Sequence, residues 1–370
     1  MTVMSALSGA IYKGMAKPLF FRRDPEDVHD AVTRVGEFLG RHGSTRFMTS
    51  AAFSYRDPVL EQRILGIDFP NPIGLAAGFD KDARLTDIMP SVGFGFMEVG
   101  SITGERCEGN RKPRLWRMPK SQALVINYGL KNDGCEAIAS RLAGRSFGVP
   151  LGTSVAKTNC EATVDPEKGI EDYAKAYRAL AEIGDYTTVN ISCPNAFGGQ
   201  PFTDPALLDR LLERLSAIPT RKPVFIKLSP DLQVSHLDEI IAVAERRNVG
   251  GYVCANLTKD RAAADLADGE NVPRVGGFSG KAVASLADGQ LAYLYRATRG
   301  RVPIVGCGGV FTAEDAYRKI GLGASLVQMV TGMIYEGPQV VGDINRGLAR
   351  LLGRDGFASV AEARGKDFHW

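Results

Sequence analysis

The stretch TTVNISCPN, residues 187–195, puts two carboxamides and one thiol where a β-branched run breaks. Residues 187–191 suit a buried parallel strand, and Pro194 cannot continue a ladder. Asn190, Cys193 and Asn195 therefore sit at a strand end. Carboxamides offer donors and acceptors to the edge of a flat polar ligand, and a thiol beside them can carry a proton. Taken alone, Ser192-Cys193-Pro194 also fits an inert strand-to-turn junction, because a free cysteine is often plain core. Two lysines follow similar runs, Lys81 in AAGFDK and Lys227 in KLSPD. A lysine in such a place forms a Schiff base or balances the negative charge of a reduced flavin. Asn127 in INYGLKND and Asn256 in CANLT bring the strand-end amides to four, which favours the flavin reading with a planar amide or carboxylate substrate. The four histidines (His29, His42, His236, His369) lie outside these motifs, so a Cys–His hydrolase finds no histidine at a strand end. His29 and His236 read as helix-surface or packing residues.

These groups need a scaffold that brings strand ends together. Strands are expected over 73–76, 96–99, 149–155, 187–191, 224–228, 251–255, 304–306 and 326–329. Helical stretches fall between most of them, over 173–182, 207–218, 237–247, 283–299 and 313–320. Eight such units in about 300 residues argue for an α/β fold of the (β/α)8 TIM-barrel type, with its chemistry at the C-terminal strand ends. A short antiparallel pair, 62–65 and 67–69, is placed to plug the barrel bottom. Glycine-rich turns at GCGG (306–309) and GLGAS (321–325), with GFSGKA (277–282), suggest a phosphate cradle of backbone N–H groups.

The rest of the chain narrows the function classes. Its 370 residues are 44% hydrophobic and 24% charged, an ordinary globular balance. The net charge of +3 is too small to argue for nucleic acid. Six scattered cysteines with no CxxC fit a reducing compartment and show no iron–sulfur or zinc framework. No apolar run approaches the roughly 18–20 residues of a membrane span. Residues 1–55 form a separate helical piece. In DPEDVHDAVTRVGEFLG, Val28, Ala31, Val32, Val35, Phe38 and Leu39 repeat at helical spacing, with Asp24 as N-cap, Pro25 at the first position and Gly40 as the stop. Upstream apolar residues edged by Lys13, Lys17, Arg22 and Arg23 fit either a membrane-surface face or a helical hairpin capping the main domain. The division expected is 1–55 extension, 56–354 barrel and 355–370 C-terminal tail.

The motifs AAGFDKD, GNRKPRLWR, NISCPN, IKLSPD, GGFSGKA, GCGGV and GASLVQ, in this order, resemble the dihydroorotate dehydrogenases. PLFFRRDPEDVHDAV is similar to the helical extension of the quinone-using class 2 members. The resemblance implies an FMN barrel that oxidises dihydroorotate to orotate in pyrimidine synthesis and passes electrons to a quinone. It implies FMN contacts at Ala77, Gly78, Lys81, Ser101, Ser154, Asn190, Lys227, Ala255, Gly280, Gly309, Val330 and Thr331. Substrate contacts fall on Lys81, Asn127, Tyr128, Gly129, Leu130, Asn190, Asn195 and Asn256, with Cys193 as base and Lys227 beside the flavin. The N-terminal helices would form a quinone tunnel and rest peripherally on the cytoplasmic side of the cell membrane. Several positions depart from the class 2 pattern. Cys193 stands where that class has a serine, as in class 1. INYGLKND is one residue shorter than the usual loop. Ser154 replaces an asparagine, Ala255 and Leu257 replace threonines, and Val330 replaces a tyrosine. A diverged paralogue acting on a related cyclic amide or using a soluble acceptor stays open beside this, as does a Schiff-base lyase.

Overall fold

The computed structural model describes residues 3–264, 266–269 and 272–368. His369 and Trp370 of the expected tail, and Met1 and Thr2 of the extension, lie outside them. A short hairpin opens the main body, β1 (Gln62–Ile64) and β2 (Ile67–Phe69), antiparallel with Ile64 opposite Ile67. Then come β3 (Ile73–Leu75), β4 (Phe96–Ile102), β5 (Leu115–Met118), β6 (Ala123–Ile126), β7 (Leu151–Val155) and β8 (Tyr186–Asn190). They are followed by β9 (Val224–Leu228), β10 (Gly251–Cys254), β11 (Gly277–Gly280), β12 (Ile304–Cys307) and β13 (Leu326–Met329). Eight of these close a parallel barrel in the order β10-β12-β13-β3-β4-β7-β8-β9, with β9 pairing back to β10.

All eight expected barrel strands are present, β9 and β13 at the expected bounds and the other six with one or both ends shifted by one to three residues. The helix expected from residue 173 instead spans Pro166–Leu180, because Asp165 caps it through Lys168 N and Pro166 fills the first position. The barrel floor is aromatic. Phe69 of β2 meets Phe96 edge to face at 5.5 Å, and Tyr186 and Phe225 complete the layer. Strand glycines make the room: a Cβ on Gly74 would stand 2.3 Å from the Phe96 ring, and one on Gly152 2.2 Å from Tyr186.

Two features were not expected. β5, β6 and β11 form a separate antiparallel sheet, ordered β11-β6-β5. Its strands lie in the connections that leave the C-terminal ends of β4 and β10, so the sheet roofs one side of the barrel mouth. GFSGKA is thus mostly an edge strand, with Gly280 at its end. A late helix, Val340–Arg354, also packs on the body.

Residues 3–53 form four helices: α1 (Val3–Ile11), α2 (Lys17–Phe21), α3 (Pro25–Arg41) and α4 (Gly43–Phe53). Asp24 caps α3, accepting from the N–H groups of Glu26 and Asp27. The helix runs one residue past Gly40. A Cβ on that glycine would meet Asp87 Cβ at 3.0 Å, so Gly40 serves helix packing rather than termination. The extension is tied to the helix after β13, where Tyr12 donates to Ile334 O at 2.6 Å, and to the roof, where Arg117 of β5 donates to Arg23 O at 2.9 Å. The last short helix, Val360–Ala363, buries Val360 and Ala363 against the body.

Candidate active site

A pocket of about 1290 Å³, its open mouth included, occupies the C-terminal ends of the barrel strands under the roof sheet. Its lining collects residues from seven of the eight barrel strand ends, β7 being the exception. Ala77, Gly78 and Lys81 follow β3, and Ser101 lies on β4. Tyr128, Gly129 and Leu130 follow β6. Asn190, Cys193 and Asn195 end or follow β8, and Lys227 lies on β9. Ala255 and Asn256 follow β10, and Gly280, Gly309, Val330 and Thr331 close the far side. Two expected site residues are not in the lining. Ser154 is fully buried one layer behind, its Oγ 2.8 Å from Ser101 Oγ. Asn127 faces a neighbouring cleft with Lys259, Arg261 and Arg274, and its Oδ1 accepts from Asn110 Nδ2 at 3.2 Å.

The strand-end amides form one polar network. Asn190 Nδ2 donates to Ser101 Oγ at 2.8 Å, and its Oδ1 accepts from Ser192 Oγ at 3.0 Å and Asn256 Nδ2 at 3.3 Å. Asn256 Nδ2 also reaches Ser192 O at 3.0 Å. Asn195 donates to Ile126 O at 2.7 Å, while its buried Oδ1 has no hydrogen-bond partner among the described residues. Thr331 and Ser279 hydroxyls meet at 2.8 Å, fastening the roof to the turn after β13. Gly280 has φ +76°, and a Cβ there would lie 2.4 Å from Gln122 O, so only glycine lets the backbone line the pocket here.

The charges are arranged with unequal compensation. Lys227 is 4% exposed, lines the pocket, and has no hydrogen-bond or ion-pair partner among the described residues. Lys81 Nζ lies 4.0 Å from the Tyr128 ring centroid. Burial lowers its ammonium to about 8, opposed by Asp82 and assisted by the charge of Lys131. Tyr128 has a buried hydroxyl with no hydrogen-bond partner among the described residues, and burial pushes it well above the ordinary phenol range. Burial also raises the Cys193 thiol, against a weaker pull from its backbone contact with Asn195 and from Lys259 and Lys157. A second thiol in the lining, Cys307, is raised by burial and drawn down by Lys227.

Sequence reasoning passed over several lining residues. His29 is not a surface residue: its Nε2–H donates to Phe79 O at 2.8 Å, and its ring meets Phe79 edge to face at 5.2 Å. Burial lowers it, and the charge of Lys81 adds to that. Helical spacing gave a stripe but could not say which neighbour that stripe meets. Leu115 and Leu124 enter from the unexpected roof sheet, whose only sequence signal is two short apolar runs around PKSQ. Gln328 and Cys307 come from β13 and β12.

His29, Phe79, Leu115, Leu124 and Ile334 also line a second cavity, of about 1370 Å³. It runs between the extension and the body, walled by Phe20, Val28, Val32, Leu39, Phe53, Leu85 and Met89 among others. Arg117, Tyr12 and Thr49 are polar members of this wall.

A closed parallel barrel with amides, lysines, glycines and a thiol converging on its strand ends defines a (β/α)8 barrel enzyme. The family model for dihydroorotate dehydrogenase matches residues 59–352. A dihydroorotate dehydrogenase (quinone) of Gloeobacter violaceus is 38% identical over 356 residues, covering 96% of this chain and 98% of its own length. That of Sphingopyxis alaskensis is 39% identical over 369 residues, covering 99% of both. The crystal structure of the Eimeria tenella DHODH in complex with ferulenol superposes with a TM-score of 0.81 at 28% identity, covering 93% of this chain and 96% of the other. The chain belongs to the dihydroorotate dehydrogenase family, and these bacterial relatives are of its quinone class.

Proposed function

We propose that this protein oxidises dihydroorotate to orotate in pyrimidine synthesis, with FMN in the strand-end pocket and a quinone as electron acceptor. The observation that carries the reading is Lys227, a buried lysine lining the pocket with no ion-pair or hydrogen-bond partner among the described residues. An uncompensated buried cation is costly unless a ligand supplies negative charge, and a reduced flavin does so. The residues fit the group. Ala77, Gly78, Ser101, Asn190, Ala255, Gly280, Gly309, Val330 and Thr331 offer small side chains and polar backbone along one pocket, and Ser154 backs Ser101. Bound FMN would supply two-electron redox chemistry, accepting a hydride from the substrate.

The chain supplies the rest. Lys81 attracts the substrate carboxylate, and Tyr128, Gly129 and Leu130 form the loop over it. Asn190, Asn195 and Asn256 hold amide edges, and Asn127 reaches them through Asn110. The Cys193 thiolate takes the proton from the substrate carbon next to the carbonyl. A reference thiol of about 8.5 is only a few per cent ionised at neutral pH. Burial makes Cys193 less ionised still, so turnover rises with pH.

The second cavity suits the quinone, since it is largely apolar and meets the first at His29 and Phe79. Leu7, Ile11, Met15, Leu19, Val35, Phe38, Phe47 and Met48 of the extension are exposed, a concentration that marks an interaction face. We assign it to the cytoplasmic membrane surface as a peripheral contact. No helix among the described residues is long and apolar enough to cross a membrane.

The test is optical. Purified protein should be yellow, bleach anaerobically with dihydroorotate, and regain colour with ubiquinone faster than with fumarate or NAD. Yellow protein that does not bleach overturns the substrate. Recovery by fumarate or NAD alone overturns the acceptor. Colourless protein whose lysine is trapped by borohydride points to the Schiff-base lyase.

A further inference from the structure

The extension carries one charged side chain that turns inward rather than toward lipid or water. Glu26, second residue of α3, is 3% exposed. Its Oε1 accepts from Arg114 Nη2 at 2.7 Å and Lys131 Nζ at 3.2 Å, and its Oε2 from Arg114 Nε at 3.0 Å. Lys112 Nζ stands 3.5 Å from Oε2. Arg114, 6% exposed, spends its remaining donors on Glu108 O at 2.7 Å and Asn110 O at 2.8 Å. The fork is therefore bidentate and almost fully used.

Two branches lead from this pair into the first pocket. Asn110 donates to Asn195 O at 2.9 Å and to Asn127 Oδ1 at 3.2 Å, joining the loops after β6 and β8. The Arg114 guanidinium carbon lies 5.3 Å from the Tyr128 ring centroid, and Lys81 lies 4.0 Å from the same ring. Lys131 lines the pocket directly. Arg114 and Lys81 thus share one aromatic ring, and Arg114, Lys131 and Lys112 crowd one carboxylate.

We infer that Glu26 is a positioning residue for substrate: from the N-terminal extension it pins the loops carrying Asn110, Tyr128 and Lys131 and holds the cations that Lys81 must sit beside. This rests on the reading of Lys81 and its neighbours as the substrate end of the pocket. It gives the extension a second task, toward the substrate pocket. The physical reason is charge bookkeeping in a dry place. Burial raises the Glu26 carboxyl, yet the Arg114 and Lys131 hydrogen bonds hold it at about 2, so it stays ionised through the physiological range. Remove that charge and the buried Arg114 loses its anchor, while Lys131 is left to repel Lys81. Lys81 is faced by Asp82 from its own turn, by Lys131 from the roof loop, and by Glu26, Asp30 and His29 from α3.

The experiment compares full-length, flavin-loaded wild type with Glu26→Gln, Glu26→Asp and Lys131→Gln. In Glu26→Gln the KM for dihydroorotate should rise about tenfold, well beyond any change in kcat or in quinone KM. The pH above which 1/KM falls should move down, since Lys81 loses a supporting negative charge. Glu26→Asp should recover part of the KM. Lys131→Gln should move the same limb up, because a like charge beside Lys81 is gone. Amide exchange of residues 107–115 and 126–133 should quicken in Glu26→Gln without substrate present. Wild-type KM, pH limb and exchange in Glu26→Gln overturn the inference, as does a rise confined to quinone KM. If Glu26→Gln does not fold, an unmoved pH limb in Lys131→Gln overturns it. Failure of wild type to bleach with dihydroorotate would sink the substrate reading alone, and the exchange result would still decide whether Glu26 pins the loops.

Discussion

The two cavities meet at His29 and Phe79 and are built on opposite rules. The first draws on strand ends and the turns after them, where backbone is fixed by the barrel and amides, lysines and two thiols are placed among apolar side chains such as Leu115, Leu124 and Phe311. Its groups are held by short hydrogen bonds, as between Asn190, Ser101 and Asn256. The second draws on faces of helices, and its wall is mostly Phe, Val, Leu, Ile and Met. A rigid polar site suits chemistry that needs orientation, because misplacing a reacting atom by an ångström is expensive. An apolar slot between packed helices needs only shape and dryness. The proposed division, proton and hydride on one side and electrons leaving on the other, follows from that contrast.

The contrast can be broken most sharply at Cys193. Cys193→Ala should slow flavin bleaching by dihydroorotate by about 10²–10⁴-fold, the usual value of a positioned base, read by stopped flow. Cys193→Ser should retain more at high pH than at neutral pH. Bleaching near the wild-type rate in both would show that the thiol is not the base. Next comes Lys227→Met, expected to cost about 10²–10³ in the same rate, since it removes a preorganised charge from a dry site. The quinone half should hardly respond to the Cys193 changes once the flavin has been reduced chemically.

The pH dependence sharpens the first cavity further. Lys81 binds an anion only while protonated, and it loses its proton near 8, so 1/KM should fall above that pH. Cys193 acts only when ionised, and burial raises it, so kcat should climb through the alkaline range. The product, kcat/KM, should be bell-shaped with its top on the alkaline side. A flat profile between pH 6 and 9 would contradict both assignments.

Smaller effects belong to the second region. Val32→Glu, in the apolar wall, should raise the KM for ubiquinone by about tenfold, the scale of burying one aliphatic side chain, while bleaching by dihydroorotate stays within about twofold. Phe47→Ser on the exposed face of α4 should weaken binding to anionic vesicles by a few-fold and leave soluble-substrate kinetics alone. Equal loss in both half-reactions would mean that the cavities are not separate in function.

Much of the first region could be read from the chain, and little of the second. Strand ends are local events: a β-branched run followed by Pro194, or by the glycines of GCGG, announces where a strand stops. In a parallel barrel all such stops gather on one face. Hence Cys193, Lys227, Asn190 and Asn256 could be grouped before any coordinates. Asn127 is the instructive exception. It belongs to the right loop but faces the neighbouring cleft, because the turn of a chain within a loop has no periodic signature. For His29 the sequence left a surface and a packing role both open, and the packing role holds. Helical spacing marks a face, yet which partner covers it depends on how α3 docks on β5 and Phe79. By sequence alone Glu26 is no more than an acidic residue in a first helical turn. Its meaning comes from Arg114, 88 residues away.

The sequence by itself determined the eightfold strand–helix alternation, the chemistry at the strand ends and the presence of a helical piece before them. Propensity, caps and breakers act over a few residues, so these are written locally. Only the tertiary structure decided that a roof sheet joins the connections after β4 and β10, that the extension encloses an apolar cavity against it, and that a carboxylate of the extension sits among the cations of the substrate side. Those are contacts between segments far apart in the chain, fixed by packing and by the need to pair buried charge, and no local pattern encodes them.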